Sequence, residues 1–464
     1  MKLRKVLILG CLLAACDEPP EAGGPSLPTF PMDGDVPQVP DDAAVQSDAA
    51  LPSDAASPVD SGLDAGAPVR TGPAFAVINS DWTSTAISLL DVEGKVLADN
   101  YLNSGSRPAG LVTALSGDVE LPKRSGEQGV LVILDRFRTD VVTRVRLSDG
   151  AILGQVKTHT PPEQNTTSSY SSNPHDYLYI DPETAYVTRS EPNVDTGALP
   201  IDLGDDLFRI NPTTMQRSGE RIDLGVLDQQ VMGTSGMVTA YARPSRMVRL
   251  GRTVVVGIGR SAFDFKAVGD GVVALVNLDT KVVTGFPLPG LKNCTDVEHV
   301  PNDSDTVLVS CGGDWNTGSK ATAGLALVGV SNGTAQVEQI WRAANDAAAT
   351  PLTSATTSLG GTLVGAAAND YSGSGTDVYA VLDLATGSKT MIKSITPGKG
   401  VFGTPSFDAA RGLLLLPDAS MDKDKKPTAG LRRFQRNADG SFTELELVKV
   451  APGTNMPVRH VFPL

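Results

Sequence analysis

The side chains with the most chemical reach in this 464-residue chain stand at the ends of short β-rich runs. Asp81 is followed by Trp82, Asp135 by Arg136, His175 by Asp176, Asp314 by Trp315 and Arg459 by His460, while Arg189 and Asp370 close two further runs. Carboxylates, guanidinium groups and imidazoles gathered in one place could hold a polar ligand or move protons. A tryptophan exposed beside an aspartate offers a flat face to a glycan or a peptide. Other chemistries lack their residues. His159, His175, His299 and His460 are scattered along the chain, and no converging third ligand completes a metal site. No G-x-S-x-G elbow, P-loop or H-E-x-x-H motif is present. The string Asp422 to Lys426 lacks the glycine and terminal Glu of a calcium loop. No catalytic residue, metal site or cofactor is therefore assigned.

These residues are set out by a repeat. An apolar run ending in polar residues occurs at 74–81, 129–136, 185–191, 253–260, 306–314, 362–370 and 412–420. Each copy precedes a second run that enters a turn, at 87–97, 143–153, 207–215, 274–283, 325–337, 379–390 and 431–443. Turns such as Asp91-Val92-Glu93-Gly94 supply the positive φ of a hairpin. A third run precedes most copies, at 106–112, 173–180, 242–248, 293–300 and 404–408, with a weak one near 353–359. The first copy has none before it, and one such run, 456–462, is left over at the C-terminus. The pattern predicts an all-β fold over 73–464, a seven-bladed β-propeller of four-stranded antiparallel blades. The C-terminal strand is expected to close the ring as the innermost strand of the first blade.

In such a ring the candidate residues fall on one face. The strand-joining loops carry Asp81, Trp82, Asp135, Arg136, Arg189, Glu191, Arg260, Asp314, Trp315, Asp370 and Asp418. The loops leading into the innermost strands carry Arg107, His175, Asp176, Arg243, Arg246, Asp296, Arg459 and His460. Loops on a rigid scaffold are where binding residues concentrate. The same residue types also serve as solvated loops, as Asp/Arg pairs at the narrow centre, or as tryptophans wedged between blades.

The strings AFAVINSDWTSTAISLLDVEGKVL and AYVTRSEPNV resemble repeats of bacterial YVTN-type propellers, which are related in shape to WD40 and quinoprotein-like propellers. Tyr186, Val187 and Thr188 match the first three letters of that signature, and Arg189 replaces the fourth. The resemblance covers 73–464 as a repeat pattern. It implies the fold and leaves activity open, because propellers host many unrelated functions.

The N-terminus sets the compartment. A basic start (Lys2, Arg4, Lys5) and an apolar run lead to Leu13-Ala14-Ala15-Cys16, which resembles the lipobox of bacterial lipoproteins. Residues 1–15 are read as a signal peptide and Cys16 as the lipidated N-terminus, a membrane anchor. Residues 17–72 hold eleven acidic residues against the single basic Arg70, and are dominated by Pro, Ala, Asp and Ser. Together with Cys16 they read as a disordered tether. In an oxidising compartment the two remaining cysteines, Cys294 and Cys311, are expected to form a disulfide. The net charge is −14 and no basic stripe marks a nucleic-acid surface. These features point to the cell envelope, with the outer membrane expected and the inner membrane left open by Asp17. The expected function is a binding or scaffold module for a protein, peptide or glycan. The alternative is a propeller enzyme working in the central channel, a lactonase-like hydrolase or a quinoprotein-like oxidoreductase, whose cofactor the sequence does not name.

Overall fold

Runs such as Phe75–Ser80, Thr253–Ile258 and Thr306–Cys311 are buried along their whole length. A continuous run of β-branched and aliphatic residues, rather than an alternating one, is what a strand covered on both faces requires. The computed structural model describes residues 72–136, 138–160, 170–346 and 350–464. The expected signal peptide, Cys16 and the tether as far as residue 71 lie outside the described residues.

Among these residues the strands form seven four-stranded antiparallel sheets and one three-stranded sheet. In six of the seven, the strand at one edge is the first in chain order: Val119–Glu120, Pro174–Asp181, Pro244–Leu250, Asp296–His299, Ser354–Gly360 and Ser406–Asp408. In the remaining sheet that place belongs to the last strand, Val458–Pro463, which pairs antiparallel with Phe75–Ser80. The hairpin turns follow the expected chemistry. Gly94 and Gly440 adopt φ of 73° and 84°, and their N–H groups donate to the Asp91 and Asn437 carbonyls, each at 3.0 Å.

Seven apolar clusters lie between successive sheets. One joins the first sheet to the second through Ile78, Ile87, Leu121 and Ile133. Others follow in chain order, from the second and third sheets through to the sixth and seventh. The last joins the seventh sheet to the first, where Leu413 and Leu415 meet Val77, Val458 and Val461.

Two features depart from the sequence expectation. The run 106–112 is not a strand. Pro108 has no N–H to give to a ladder, Gly110 takes φ of 87°, and Val112 is 90% exposed. The sheet edge is formed instead by Val119–Glu120, whose Val119 and neighbouring Leu121 are buried. Arg107, expected beside an innermost strand, is exposed and donates to its own loop, to the carbonyls of Ser104 and Ser106. The second departure is the three-stranded sheet, Gln229–Gly233, Gly236–Tyr241 and Ser261–Ala262, inserted around the start of the fourth sheet.

Cys294 and Cys311 are joined by a disulfide. The chain turns back between them, with Asn302 at φ of 64°, and both cysteines sit in the core between the fourth and fifth sheets. A closed loop with a sequence separation of 17 stabilises the fold by about 3 kcal/mol on the chain-entropy account. The double variant Cys294→Ser, Cys311→Ser is expected to lose that amount in chemical denaturation. The parent should show no free thiol at these positions without reductant.

Candidate functional site

The edge strands bring charged side chains from non-neighbouring sheets together. Glu120, in the second sheet, accepts from Arg136 Nη1 at 2.9 Å and from Arg246 Nη2 of the fourth sheet. Arg136 turns its other nitrogens to Asp118, at 2.6 and 3.0 Å. Arg246 also donates to the carbonyls of His175 and Leu121, at 2.9 and 3.0 Å, and lies 5.6 Å from the Phe462 ring. Lys123 reaches the fifth sheet, 2.8 Å from Asp296 and 2.9 Å from Glu298. Thr356 and Thr357 of the sixth sheet donate to the same two carboxylates.

Burial and charge set the protonation of this group. Burial alone would raise Glu120, but Arg246 and Arg136 outweigh it and hold the carboxyl at about 2. Burial, reinforced by Arg136 and Arg246, lowers His175 to about 3 and His460 to about 4, so both imidazoles are neutral near pH 7. His175 Nδ1 lies 3.3 Å from the Ser245 hydroxyl, and its buried Nε2 has no hydrogen-bond partner. His460 Nδ1 lies 2.9 Å from the Thr404 hydroxyl. Asp176 accepts from the Met247 and Tyr177 N–H groups, and burial pushes it up to about 7 against the pull of Arg246. Among the described residues no group of three or more His, Cys, Asp or Glu could hold a metal.

The other candidate residues separate into two kinds. Several are interior supports. Arg189 is fully buried, forks onto Asp206 at 2.5 and 2.8 Å, and stacks 4.3 Å from Phe208. Asp135 is buried, accepts from the Ser116 N–H and hydroxyl, and is pushed up to about 6 by burial. Asp314 is buried against Lys292 at 3.1 Å, and Trp315 donates its indole N–H to the Phe265 carbonyl at 2.9 Å. Arg243 pairs with Glu191 and Asp418 with Arg432. These groups are tied to partners within the scaffold.

A second set lies beside a cavity, and of these candidates Arg459 is a lining residue. Asp81 and Asp370 fold their loops by accepting from Thr83 and Ser84, and from Ser372 and Gly375. They thereby present Trp82, 48% exposed, and Tyr371, 44% exposed. The Arg459 guanidinium lies 5.2 Å from the Trp82 ring. Tyr371 packs over Gly400, where no room remains for a Cβ. Arg459 and Gly400 both line a cavity of about 340 Å³, together with Lys399, Lys423 and Lys425. Cationic and aromatic groups of this kind suit a polar or anionic ligand.

Sequence reasoning passed over Asp118, Glu120, Lys123 and Glu298. A signal existed: the tripeptide Asp-Val-Glu occurs at 118–120 and again at 296–298, and in both places its two carboxylates hold one cation, Arg136 at the first and Lys123 at the second. The third copy, at 91–93, is a turn, so the tripeptide alone does not identify the position.

No family model and no curated protein matches the chain. Similar solved structures exist. A putative 6-phosphogluconolactonase from Bacteroides fragilis is 11% identical with a TM-score of 0.51, over 86% of this chain and 99% of that one. Another from Bacteroides uniformis is 11% identical with a TM-score of 0.51, over 85% of this chain and 100% of that one. These neighbours are β-propellers, and at this identity the likeness establishes the architecture alone: the chain is an all-β protein with a β-propeller fold.

Proposed function

We propose that the chain is a membrane-anchored, cell-envelope binding module built on a closed seven-bladed propeller. In this reading the seven four-stranded sheets are the blades, and the strand Val458–Pro463 closes the ring. Cys16 carries the lipid, and residues 17–72 tether the propeller to the outer membrane. The observation that carries the binding function is how the charges are used. On the axis they are spent on one another, Lys123 with Asp296 and Glu298, and Glu120 with two arginines. The cavity lined by Arg459, Lys399, Lys423 and Lys425, with Trp82 and Tyr371 exposed beside it, offers cationic and aromatic groups to a ligand.

The enzyme alternative draws on the likeness to two putative 6-phosphogluconolactonases and on His175, His460, Glu120 and the arginines meeting between the edge strands. A lipid-free Cys16→Ala form separates the readings. It is expected to leave the membrane fraction, to bind envelope glycans or peptides, and to leave sugar lactones unhydrolysed. Turnover of a lactone that disappears in His460→Asn would replace the binding reading with the hydrolase. A Cys16→Ala protein that stays with the membrane would remove the anchor.

A further inference from the structure

Arg459 differs from the other enclosed arginines near the edge strands. Arg136, Arg189, Arg243 and Arg246 each face at least one carboxylate. Arg459 makes no ion pair among the described residues. Its Nε donates to the Ser80 carbonyl at 3.2 Å, and its plane lies near Trp82. A guanidinium withdrawn from water without a counter-charge is costly unless something supplies one. Burial pulls its pKa below the usual arginine range, more than Tyr371 and Asp81 raise it.

The surroundings repeat the same deficit. Lys399, Lys423 and Lys425 line the cavity with Arg459, and Asp422 is the carboxylate of that lining. Asp422 is used by its own loop, accepting from the Asp424 and Lys426 N–H groups at 2.8 and 2.9 Å. Lys423 pairs at the surface with Asp424. Lys399 and Lys425 make no ion pair among the described residues. The cavity thus holds four cationic side chains against the one carboxylate of its lining, Asp422, and two exposed aromatic rings lie beside it.

We propose that this cavity binds an oxyanion, a carboxylate or a phosphate, carried on a saccharide ring. Arg459 offers the fork that matches such a group. Lys399 and Lys425 add charge from the rim, and Trp82 and Tyr371 supply faces for the ring. The volume, at the small end for a small-molecule site, favours a sugar over an extended acidic peptide. This inference rests on the binding-module reading and names its ligand class.

Calorimetric titration of the lipid-free Cys16→Ala protein tests it with D-glucuronate, glucose 6-phosphate, D-glucose, inorganic phosphate and tetraglutamate. At least one charged sugar is expected to bind at least tenfold more tightly than glucose, with an affinity that falls as salt rises. Which of the two wins distinguishes a carboxylate from a phosphate ligand. Inorganic phosphate should bind more weakly than the better sugar, and Trp82→Ala should erase that difference. Arg459→Met should cost at least tenfold. Lys425→Gln, at an exposed position, should cost about threefold and serves if Arg459→Met fails to fold. Glucose binding as tightly as the charged sugars, no binding of either, or indifference to both substitutions would overturn the proposal. Tighter binding of tetraglutamate would replace the sugar with a peptide. If an envelope glycan binds the parent and the Arg459→Met form alike, the binding module stands and this site falls.

Discussion

Deleting residues 454–464 is expected to yield a chain that aggregates instead of folding as a soluble monomer. The deleted strand pairs with Phe75–Ser80 from Phe75 to Asn79, with one irregularity at Ile78/Asn79. Val458 and Val461 belong to the core against the seventh sheet, and Phe462 to the core against the second. Burying three such side chains stabilises the fold by roughly 5–9 kcal/mol. That is comparable with the whole stability of a typical domain, about 5–15 kcal/mol. Further ties go with it: the Ser80 N–H donates to Pro457, the Leu464 N–H to Ala74, and the Asn79 amide to Met456. The truncated chain would also expose the edge of Phe75–Ser80, buried along its length, as a template for pairing with other chains. Size-exclusion chromatography and thermal unfolding check this. A truncated protein that elutes as a monomer and melts with the parent would contradict both the pairing and the proposed ring closure.

The sequence revealed the strand Val458–Pro463 by bookkeeping of order, because one run was missing at the start and one was left over at the end. It misplaced the edge strand of the second sheet for the opposite reason. Only Val119 and Glu120 pair there, and two residues leave no periodicity, whereas 106–112 carries an apolar string that turns out to be loop. Fork geometry was also hidden. Arg136, Arg189 and Arg459 look alike in the sequence, yet the first meets Asp118 and Glu120, the second Asp206 and Asp202, and the third no carboxylate within ion-pair distance among the described residues. Those partners lie 13 to 18 residues away, in or beside the same sheet, and strand register decides which of them a guanidinium meets. The contribution of Lys399, Lys423 and Lys425 was unreadable as well, since a 340 Å³ cavity depends on how the sixth and seventh sheets meet the C-terminal strand. Asp81 and Asp370 accept N–H groups of their own loops, a local turn chemistry that says nothing of which neighbours those loops expose.

Replacing Glu120 with glutamine should destabilise the protein by about 3 kcal/mol at pH 7, and the loss should vanish in acid. Glu120 is nearly buried and is held at about 2 in the folded chain, against an ordinary value of 4.5. A displacement of that size corresponds to about 3 kcal/mol. The sign follows from the direction. A carboxyl whose folded pKa is depressed contributes stability above its unfolded value and loses it as pH falls through the folded one. The gap between parent and Glu120→Gln should therefore stay level from pH 7 to pH 5, narrow by about 2 kcal/mol between pH 4.5 and pH 3, and close near pH 2. His175 and His460, lowered to about 3 and 4, also withdraw stability as pH falls below 6.5. They are present in both proteins, so the difference reports Glu120. The glutamine keeps the shape but leaves Arg246 without its carboxylate, and breaking an enclosed pair from one side is what makes such losses large. Added salt should change the gap little, because Arg246 and Glu120 are largely shielded from solvent. Urea unfolding at stepped pH measures it. A gap that persists unchanged to pH 3 would mean that the two guanidinium groups do not hold Glu120 ionised, and that the edge strands are joined by packing alone.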